Sequence, residues 1–214
     1  MAKRYEFRGN ACRTLAEANA WQQQRPEATL EPELPIVDPH HHLWDSEARG
    51  GRYLIHELVA DTASGHNIVA TVFIEAGSMY RAAGPKEMRP VGEVEFVNGV
   101  AAMSASGGYG KSRLCAGIIG HADLTLGDGV QPVLEALIAA GNGRFRGIRH
   151  GVTWDTGNAA KFGRREVPQH QVMDPVFRKG FARLKPLISP TSQIAFGNAP
   201  ARTALTSRFS RPTV

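Results

Sequence analysis

Short apolar runs recur along the chain at intervals of about thirty residues, and a segment with helical periodicity follows each of them. The runs cover residues 36–42, 68–74, 114–119 and 145–150, and the second consists largely of β-branched residues. Such nearly continuous runs are typical of strands buried on both faces of a parallel sheet. The pattern therefore predicts four βα units and an α/β fold class.

The helical segments are predicted from apolar residues spaced three and four positions apart. Asp128 is the expected N-cap of the helix before the fourth strand, and Gly141 its expected end. Asp174 and Pro175 are typical of an N-cap followed by the first helical residue. The polar segment 45–52 is predicted to be a loop. The predicted helices span about 14–25, 53–60, 91–103, 130–138 and 175–184.

The charge of the chain is concentrated at one end. The 214 residues are 42% hydrophobic and 21% charged, an ordinary globular composition, but the formal net charge is +5. All acidic residues lie at or before Asp174, whereas the last 40 residues contain seven bases and no acid. The positive excess belongs to this tail and not to a face of the domain, so we expect no nucleic-acid partner.

The sequence has no recognisable signal for disulfide bonds, secretion or membrane insertion. Cys12 and Cys115 are the only cysteines, which indicates neither a disulfide framework nor a structural zinc module. Residues 1–8 are charged and have no apolar core of signal-peptide length. No run approaches the roughly 18 apolar residues of a membrane span. We therefore expect a cytoplasmic protein without a membrane partner.

Three consecutive histidines follow the first apolar run. In an extended strand alternate side chains share a face, so His40 and His42 should point the same way with Asp38 beside them, and His41 to the other side. Imidazole is a common ligand of zinc, although a catalytic zinc ion usually needs three protein ligands. We predict that His40 and His42 bind a divalent metal, most simply zinc. A polar loop without a ligand is the alternative.

Polar side chains also stand where the later strands end. Glu75 should have an arginine or a substrate as partner, because an unpaired buried carboxylate is costly; a solvated loop carboxylate is the alternative. Arg149 with His150 could hold a substrate carboxylate and act in catalysis, or form an ordinary ion pair at the rim. His121 and Trp44 are further candidates for substrate binding, Trp44 as an aromatic wall. The expected partner is a small molecule.

The stretch Pro35-Ile36-Val37-Asp38-Pro39-His40-His41-His42-Leu43-Trp44-Asp45 resembles the opening signature of the amidohydrolase-related (amidohydrolase 2) family, in which the first and third histidines are the metal-pair positions. The resemblance implies a (β/α)8 TIM barrel whose catalytic face lies at the strand carboxyl ends. It also implies a hydrolase of a small cyclic ester (lactone) or amide, acting through metal- or His-activated water. Some relatives act without metal, and a decarboxylase is an alternative. The similarity to a lactonase-like branch extends to 72–76, 91–94, 120–124 and 146–150.

The resemblance ends near residue 187. A fifth strand is expected there. Residues 188–214 are instead rich in Ser, Thr, Pro and Arg, and their apolar residues have neither the strand nor the helix periodicity. We expect an N-terminal arm at 1–35, the N-terminal half of a barrel at 36–187, and an unpatterned tail produced by a shifted reading frame or truncation. A disordered basic tail is the alternative. Because four βα units cannot close the barrel, the chain is expected to be an inactive fragment, a non-catalytic half-barrel or a homo-oligomer of such halves.

Overall fold

A four-stranded parallel β-sheet forms the centre of the protein. The structure is a computed structural model and describes residues 14–154 and 167–187. In chain order its helices and strands are α1 (Leu15–Gln23), β1 (Pro35–His41), β2 (Trp44–Ser46), β3 (Gly51–Tyr53), α2 (Ile55–Thr62), β4 (Asn67–Ile74), α3 (Val91–Ala105), β5 (Arg113–Gly120), α4 (Gln131–Gly141), β6 (Phe145–Ile148), α5 (Pro175–Ala182) and α6 (Leu184–Leu187).

The order of the strands in the sheet, β1-β4-β5-β6, is their order along the chain, and all three pairings are parallel. Parallel neighbours need a crossover connection, and a helix lies in each of the three connections. The predicted α/β class with a parallel sheet is therefore confirmed. The four predicted strand runs also coincide with the four strands of this sheet to within a few residues.

The core lies between the sheet and the helices α3 and α4. Phe73 and Ile118 of the sheet are fully buried, as are Val94 and Leu137 of the two helices. A Cβ placed on Gly120 would lie 3.1 Å from Val94 Cγ2 and 3.5 Å from Leu137 Cδ2. Both helices thus approach β5 from the same side of the sheet. Truncating a fully buried Leu in such a core costs about 2–5 kcal/mol.

The opposite face of the sheet carries several smaller or more exposed side chains. A Cβ on Gly117 would lie 3.4 Å from Val72 Cγ1 and 3.6 Å from Arg146 Cγ, so these three positions adjoin across β4, β5 and β6. Arg146 is exposed. On the neighbouring strand β1, Val37 is 54% exposed. One side of the sheet is therefore packed against helices, and the other presents a mixed surface.

Two predictions about local structure are wrong. The segment 45–52 is not a simple loop, because β2 and β3 pair antiparallel around a short 3-10 turn that ends at Gly50 in the left-handed conformation (φ 83°). Asp128 does not cap α4. Asp123 instead caps a preceding 3-10 helix, Leu124–Val130, by accepting from the backbone N–H of Thr125, and Asp128 pairs with Arg183.

Other predicted helix signals are confirmed. Asp174 caps α5 by accepting from the backbone N–H groups of Val176 and Phe177, with Pro175 as the first helical residue. The helix predicted over about 14–25 is α1, and its cap, Thr14 in a capping box with Glu17, was not predicted. In the described part of the chain no helix has the length and apolar character to cross a bilayer. The predicted arm is described from residue 14 onward, and the predicted tail, 188–214, lies outside the described residues.

Candidate functional site

The imidazoles of His40 and His42 meet at the carboxyl end of β1. Their Nε2 atoms lie 3.3 Å apart, and the ring planes are nearly perpendicular, with centroids separated by 4.9 Å. His42 Nδ1 donates to the carbonyl oxygen of Ile74, the last residue of β4, at 2.8 Å. The lone pair of the neutral His42 ring is therefore on Nε2 and faces His40. We name these two residues the open histidine pair.

The backbone at the end of β1, where the two histidines lie, is irregular. The pairing of β1 with β4 shifts register between Asp38 and His41. Asp38 Oδ1 accepts from the backbone N–H of His40 at 3.0 Å. The Asp38 carboxylate thus binds the backbone of His40. The predicted facing of His40 and His42 is nevertheless what the structure has.

The environment of His42 favours its neutral form. Burial lowers the pKa of His42 below its usual value, the hydrogen bond to Ile74 opposes this change, and the nearby positive charge of Arg149 acts in the same direction as burial. A neutral imidazole is the form that binds a metal ion, and its other nitrogen is commonly fixed by a hydrogen bond to a carbonyl group. His42 therefore has both the protonation state and the orientation of a ligand.

The separation of the two Nε2 atoms is a hydrogen-bonding distance and equals the separation of two nitrogen ligands on one zinc ion. Two nitrogens bound at about 2.0–2.1 Å with a tetrahedral angle between them lie about 3.3 Å apart. The observed separation of the Nε2 atoms is 3.3 Å. Within residues 14–154 and 167–187, however, no cluster of three or more His, Cys, Asp or Glu side chains could hold a metal. In the described part of the chain these two histidines are therefore fewer than the three protein ligands that a catalytic zinc ion usually has.

Glu75 and Arg149 form an ion pair close to the open histidine pair. Arg149 Nε donates to Glu75 Oε1 at 2.7 Å, and Arg149 Nη2 donates to the backbone oxygen of Glu75 at 2.5 Å. The side chain of Arg149 is 23% exposed, and that of Glu75 is 16% exposed. Glu75 directly follows Ile74, which binds His42. The structure thus brings His40, His42, Glu75 and Arg149 to one end of the sheet, and Glu75 has an arginine partner.

Trp44 stands next to the open histidine pair, at the start of the β2–β3 hairpin. Its ring centroid is 6.1 Å from that of His42 and 6.0 Å from that of Tyr53, and the Arg49 guanidinium lies 5.5 Å from it. These four side chains line part of a cleft of about 370 Å³ that also reaches Asp61. The tryptophan thus lines a cleft, and its role in substrate binding stays a prediction. Sequence reasoning missed Arg49 and Tyr53 because it placed them in or beside a loop.

His41 is only 8% exposed, and it borders the same cleft as Trp44. Its Nε2 lies 2.9 Å from Thr71 Oγ1 and 3.8 Å from the Sγ atom of Cys115. Burial lowers the pKa of His41 to about 4, despite the opposing charge of Asp38. Burial likewise raises the pKa of the Cys115 thiol to about 12. These groups are uncharged in the folded protein at neutral pH and belong to the interior.

His121 and His150 form a second pair, away from the first. The rings are stacked with centroids 5.7 Å apart, and both residues are buried. His121 Nδ1 donates to the carbonyl oxygen of Arg149 at 3.0 Å, and His150 Nδ1 donates to that of Ala122 at 3.2 Å. Each ring thus bonds the backbone beside the other histidine. We name His121 and His150 the buried histidine pair.

The buried histidine pair packs under helix α5. The ring of Phe177 lies edge-on to His150 at 5.3 Å, and Gln171 Nε2 is 3.1 Å from His150 Nε2. Because the amide nitrogen is a donor, this contact makes Nε2 the acceptor and leaves the proton on Nδ1. The backbone N–H of Leu124, 3.4 Å from the same Nδ1, is then a polar contact without a hydrogen bond. The structure does not bring His121 and His150 into the cleft with His42.

The glutamate Glu93 was assigned no role by sequence reasoning, yet it touches the loop after β4. It is fully buried, and its Oε1 accepts from the backbone N–H groups of Ala76 and Ser78. The signal in the sequence is a carboxylate within the otherwise apolar start of a helix, between Gly92 and Val94. A buried carboxylate needs partners, and here they are backbone amides.

One curated protein is similar to most of this chain. It is uncharacterized protein y4mH of Sinorhizobium fredii (strain NBRC 101917 / NGR234), which is 29% identical over 173 aligned residues that cover 71% of this chain and 50% of the relative. The chain thus spans about half the length of the relative. No protein-family model matches the sequence, and no solved structure matches it significantly. Function is therefore inferred from the geometry of the site.

Proposed function

We propose that this chain is the N-terminal half of an amidohydrolase-related hydrolase that acts on a small cyclic ester or amide, most simply a lactone. The observation that carries the proposal is the open histidine pair, whose Nε2 atoms lie 3.3 Å apart while His42 Nδ1 is held by Ile74. Two converging imidazoles with a carbonyl-bound second nitrogen are the usual form of a histidine metal site. The proposed cofactor is a divalent metal, zinc in the first place.

The sheet topology supports half of a (β/α)8 barrel. In such a barrel each strand pairs with the next along the chain, and the helices lie on one side. Doubly wound sheets instead reverse the strand order at a switch point. The order β1-β4-β5-β6 contains no reversal, and α3 and α4 approach β5 from one side. Barrel sites lie at the carboxyl ends of the strands, where His42 and Glu75 stand.

The proposed chemistry is addition of water to the carbonyl carbon of the ring, followed by cleavage of the ring C–O or C–N bond to give an open-chain acid. A bound divalent ion would polarise the carbonyl group and acidify water. His40 and His42 would hold that ion, with His42 kept neutral by burial. Arg149, positioned by Glu75, would attract the carboxylate formed in the product. Trp44 would provide an apolar wall.

A zinc titration of the full chain tests the cofactor. We expect the wild-type protein to bind zinc at least about tenfold more tightly than His40→Ala or His42→Ala, because each change removes one ligand. His66→Ala is the matched control, since His66 is exposed on the loop before β4. Equal affinity in the wild type and in both site variants would refute the metal site. An activity assay against a panel of lactones then tests the reaction.

A non-catalytic half-barrel is the second candidate. The observation that favours it is the lack, among the described residues, of a third metal-binding side chain near the open histidine pair. A zinc ion held by two protein ligands is weakly bound and incompletely activated. In the described sheet, β1 and β6 each have one neighbour, so each keeps an open edge that a second copy of the chain could pair with. Zinc binding without lactone hydrolysis would favour this candidate.

A further inference from the structure

The loop after β4 is held by a buried carboxylate on helix α3. Glu93 has 0% exposure, and its Oε1 accepts from the backbone N–H of Ala76 at 2.9 Å and from that of Ser78 at 2.8 Å. Hydrogen bonds from amides to a carboxylate are stronger than bonds between neutral groups. One oxygen atom therefore fixes two of the first four residues that follow the strand.

The same loop contacts the segment that follows the open histidine pair and also carries the Glu75–Arg149 ion pair. Ser78 Oγ donates to the carbonyl oxygen of Leu43, the residue directly after His42, at 2.8 Å. Arg49 Nη2 donates to the carbonyl oxygen of Ala76 at 2.5 Å. Glu75, which precedes Ala76, carries the ion pair with Arg149. Residues 75–78 thus bind the backbone directly after His42 and also carry the Glu75–Arg149 ion pair.

Gly92 allows helix α3 to approach this loop closely. A Cβ at Gly92 would lie 2.7 Å from the backbone nitrogen of Arg81 and 2.8 Å from the backbone oxygen of Met79, distances that real side chains do not adopt. Met79 itself has a positive φ of 54°, which is uncommon for a residue with a side chain. The start of α3 and the loop therefore fit together only with glycine at 92.

We propose that Glu93 is a positioning residue of the candidate site. Its carboxylate holds residues 76–78, and through them it keeps His42 and the Glu75–Arg149 ion pair in their relative positions. Gly92 makes the contact sterically feasible. This inference rests on the proposed metal site, because metal binding is the property that depends on the position of His42. Outer residues that orient ligands commonly affect metal affinity by 10–100-fold.

The test compares Glu93→Leu, which removes the acceptor at similar volume, with Glu93→Gln, which keeps one oxygen acceptor. Glu95→Leu is the matched control, because it makes the same change on the same helix at an exposed side chain that binds Arg81 and not the loop backbone. Zinc affinity is measured by competition with a chelating dye, and hydrogen exchange is measured at the amides of Ala76 and Ser78.

We expect Glu93→Leu to lower zinc affinity by about 10–100-fold and to speed exchange of both amides at least about tenfold. Glu93→Gln should restore both properties to within about threefold of wild type, and Glu95→Leu should change neither. Zinc affinity and amide exchange of Glu93→Leu equal to those of wild type would overturn the proposal. So would loss of zinc binding in Glu95→Leu to the same degree.

Gly92→Ala keeps the test decisive if Glu93→Leu does not fold. The added methyl group displaces the loop while the Glu93 carboxylate remains, so both amides should exchange faster and zinc affinity should fall. Unchanged exchange in this variant contradicts the proposal. If the wild-type chain binds no zinc, the metal site is refuted, and amide exchange alone then decides whether Glu93 holds the loop.

Discussion

Two histidine pairs lie at the carboxyl end of one sheet and differ in almost every physical respect. In the open histidine pair, His40 is exposed and His42 half-buried, the rings are perpendicular, and the Nε2 atoms converge to 3.3 Å. In the buried histidine pair, His121 and His150 are stacked and enclosed. Sequence reasoning treated all four as site candidates. Their surroundings assign them different roles.

The difference follows from where each ring nitrogen is directed. His42 uses one nitrogen for the Ile74 carbonyl and presents the other to the exposed ring of His40. His121 and His150 each bond the backbone beside the other residue and pack against α5. A nitrogen at the surface of a cleft can bind a metal ion, whereas hydrogen bonds between strand ends inside the core stabilise the fold. Position at a strand end alone does not distinguish the two cases.

The largest expected effect is on stability at the buried pair. His150→Ala should lower the free energy of unfolding by about 3 kcal/mol, because it leaves a cavity beside Phe177 and removes the hydrogen bond to Ala122. Urea denaturation measures this loss. His150→Phe keeps the ring and should lose less. A loss below about 0.5 kcal/mol in His150→Ala would mean that the buried pair does not hold the fold.

A similar effect is expected from acid at His41, the histidine between the two open ones. Its pKa in the folded state is about 4, against 6.5 in the unfolded chain, so only the unfolded state binds the proton between these values. The free energy of unfolding is therefore fully present above pH 6.5 and falls by about 3 kcal/mol as the pH drops to 4. Urea midpoints measured across this pH range report the loss.

The variant His41→Gln isolates this contribution, since other groups also titrate in acid. Its stability should change with pH less steeply than that of wild type over the same range. His66→Gln is the control, because the side chain of His66 is exposed. Parallel pH profiles for wild type and His41→Gln would exclude burial of a neutral imidazole at position 41.

A smaller effect is expected at Arg149, which connects the two regions. Its side chain binds Glu75 at the candidate site, while its carbonyl oxygen accepts from His121 of the buried pair. Arg149→Met removes only the first contact and should cost about 1–2 kcal/mol, because it leaves a mostly buried carboxylate without its cation.

The double mutant with Glu75→Gln separates the pair energy from other effects of the change. The two substitutions should be non-additive by about 1 kcal/mol, as measured by urea denaturation of all four proteins. Additive losses would show that the ion pair contributes nothing to folding. Such a result would also weaken the case that Glu75 positions Arg149.

The smallest effect on folding is expected at His40. Because its ring is exposed, His40→Ala should change the free energy of unfolding by less than about 0.5 kcal/mol while it lowers zinc affinity. The contrast with His150→Ala is the direct test of the two roles. If His40→Ala destabilised the protein as strongly as His150→Ala, the open pair would be a structural element.

Much of this architecture was predictable because burial of a parallel strand requires a continuous apolar run. The strands β4 and β5 follow from this pattern alone, as does the start of α5 at Asp174. The hairpin β2–β3 was missed because its polar residues and glycines have no apolar alternation. The cap at Asp123 was missed because a 3-10 helix precedes α4, and sequence periodicity does not reveal such a helix.

The sequence by itself determined that His40 and His42 share a side, since strand geometry alternates side chains, and that a carboxylate and an arginine end neighbouring strands. Only the tertiary structure decided that Arg149 turns toward Glu75 while His150, the next residue, turns into the core against Phe177. It also placed Glu93 under the loop after β4. These outcomes depend on helices packing across the sheet, and such contacts join residues far apart in the chain.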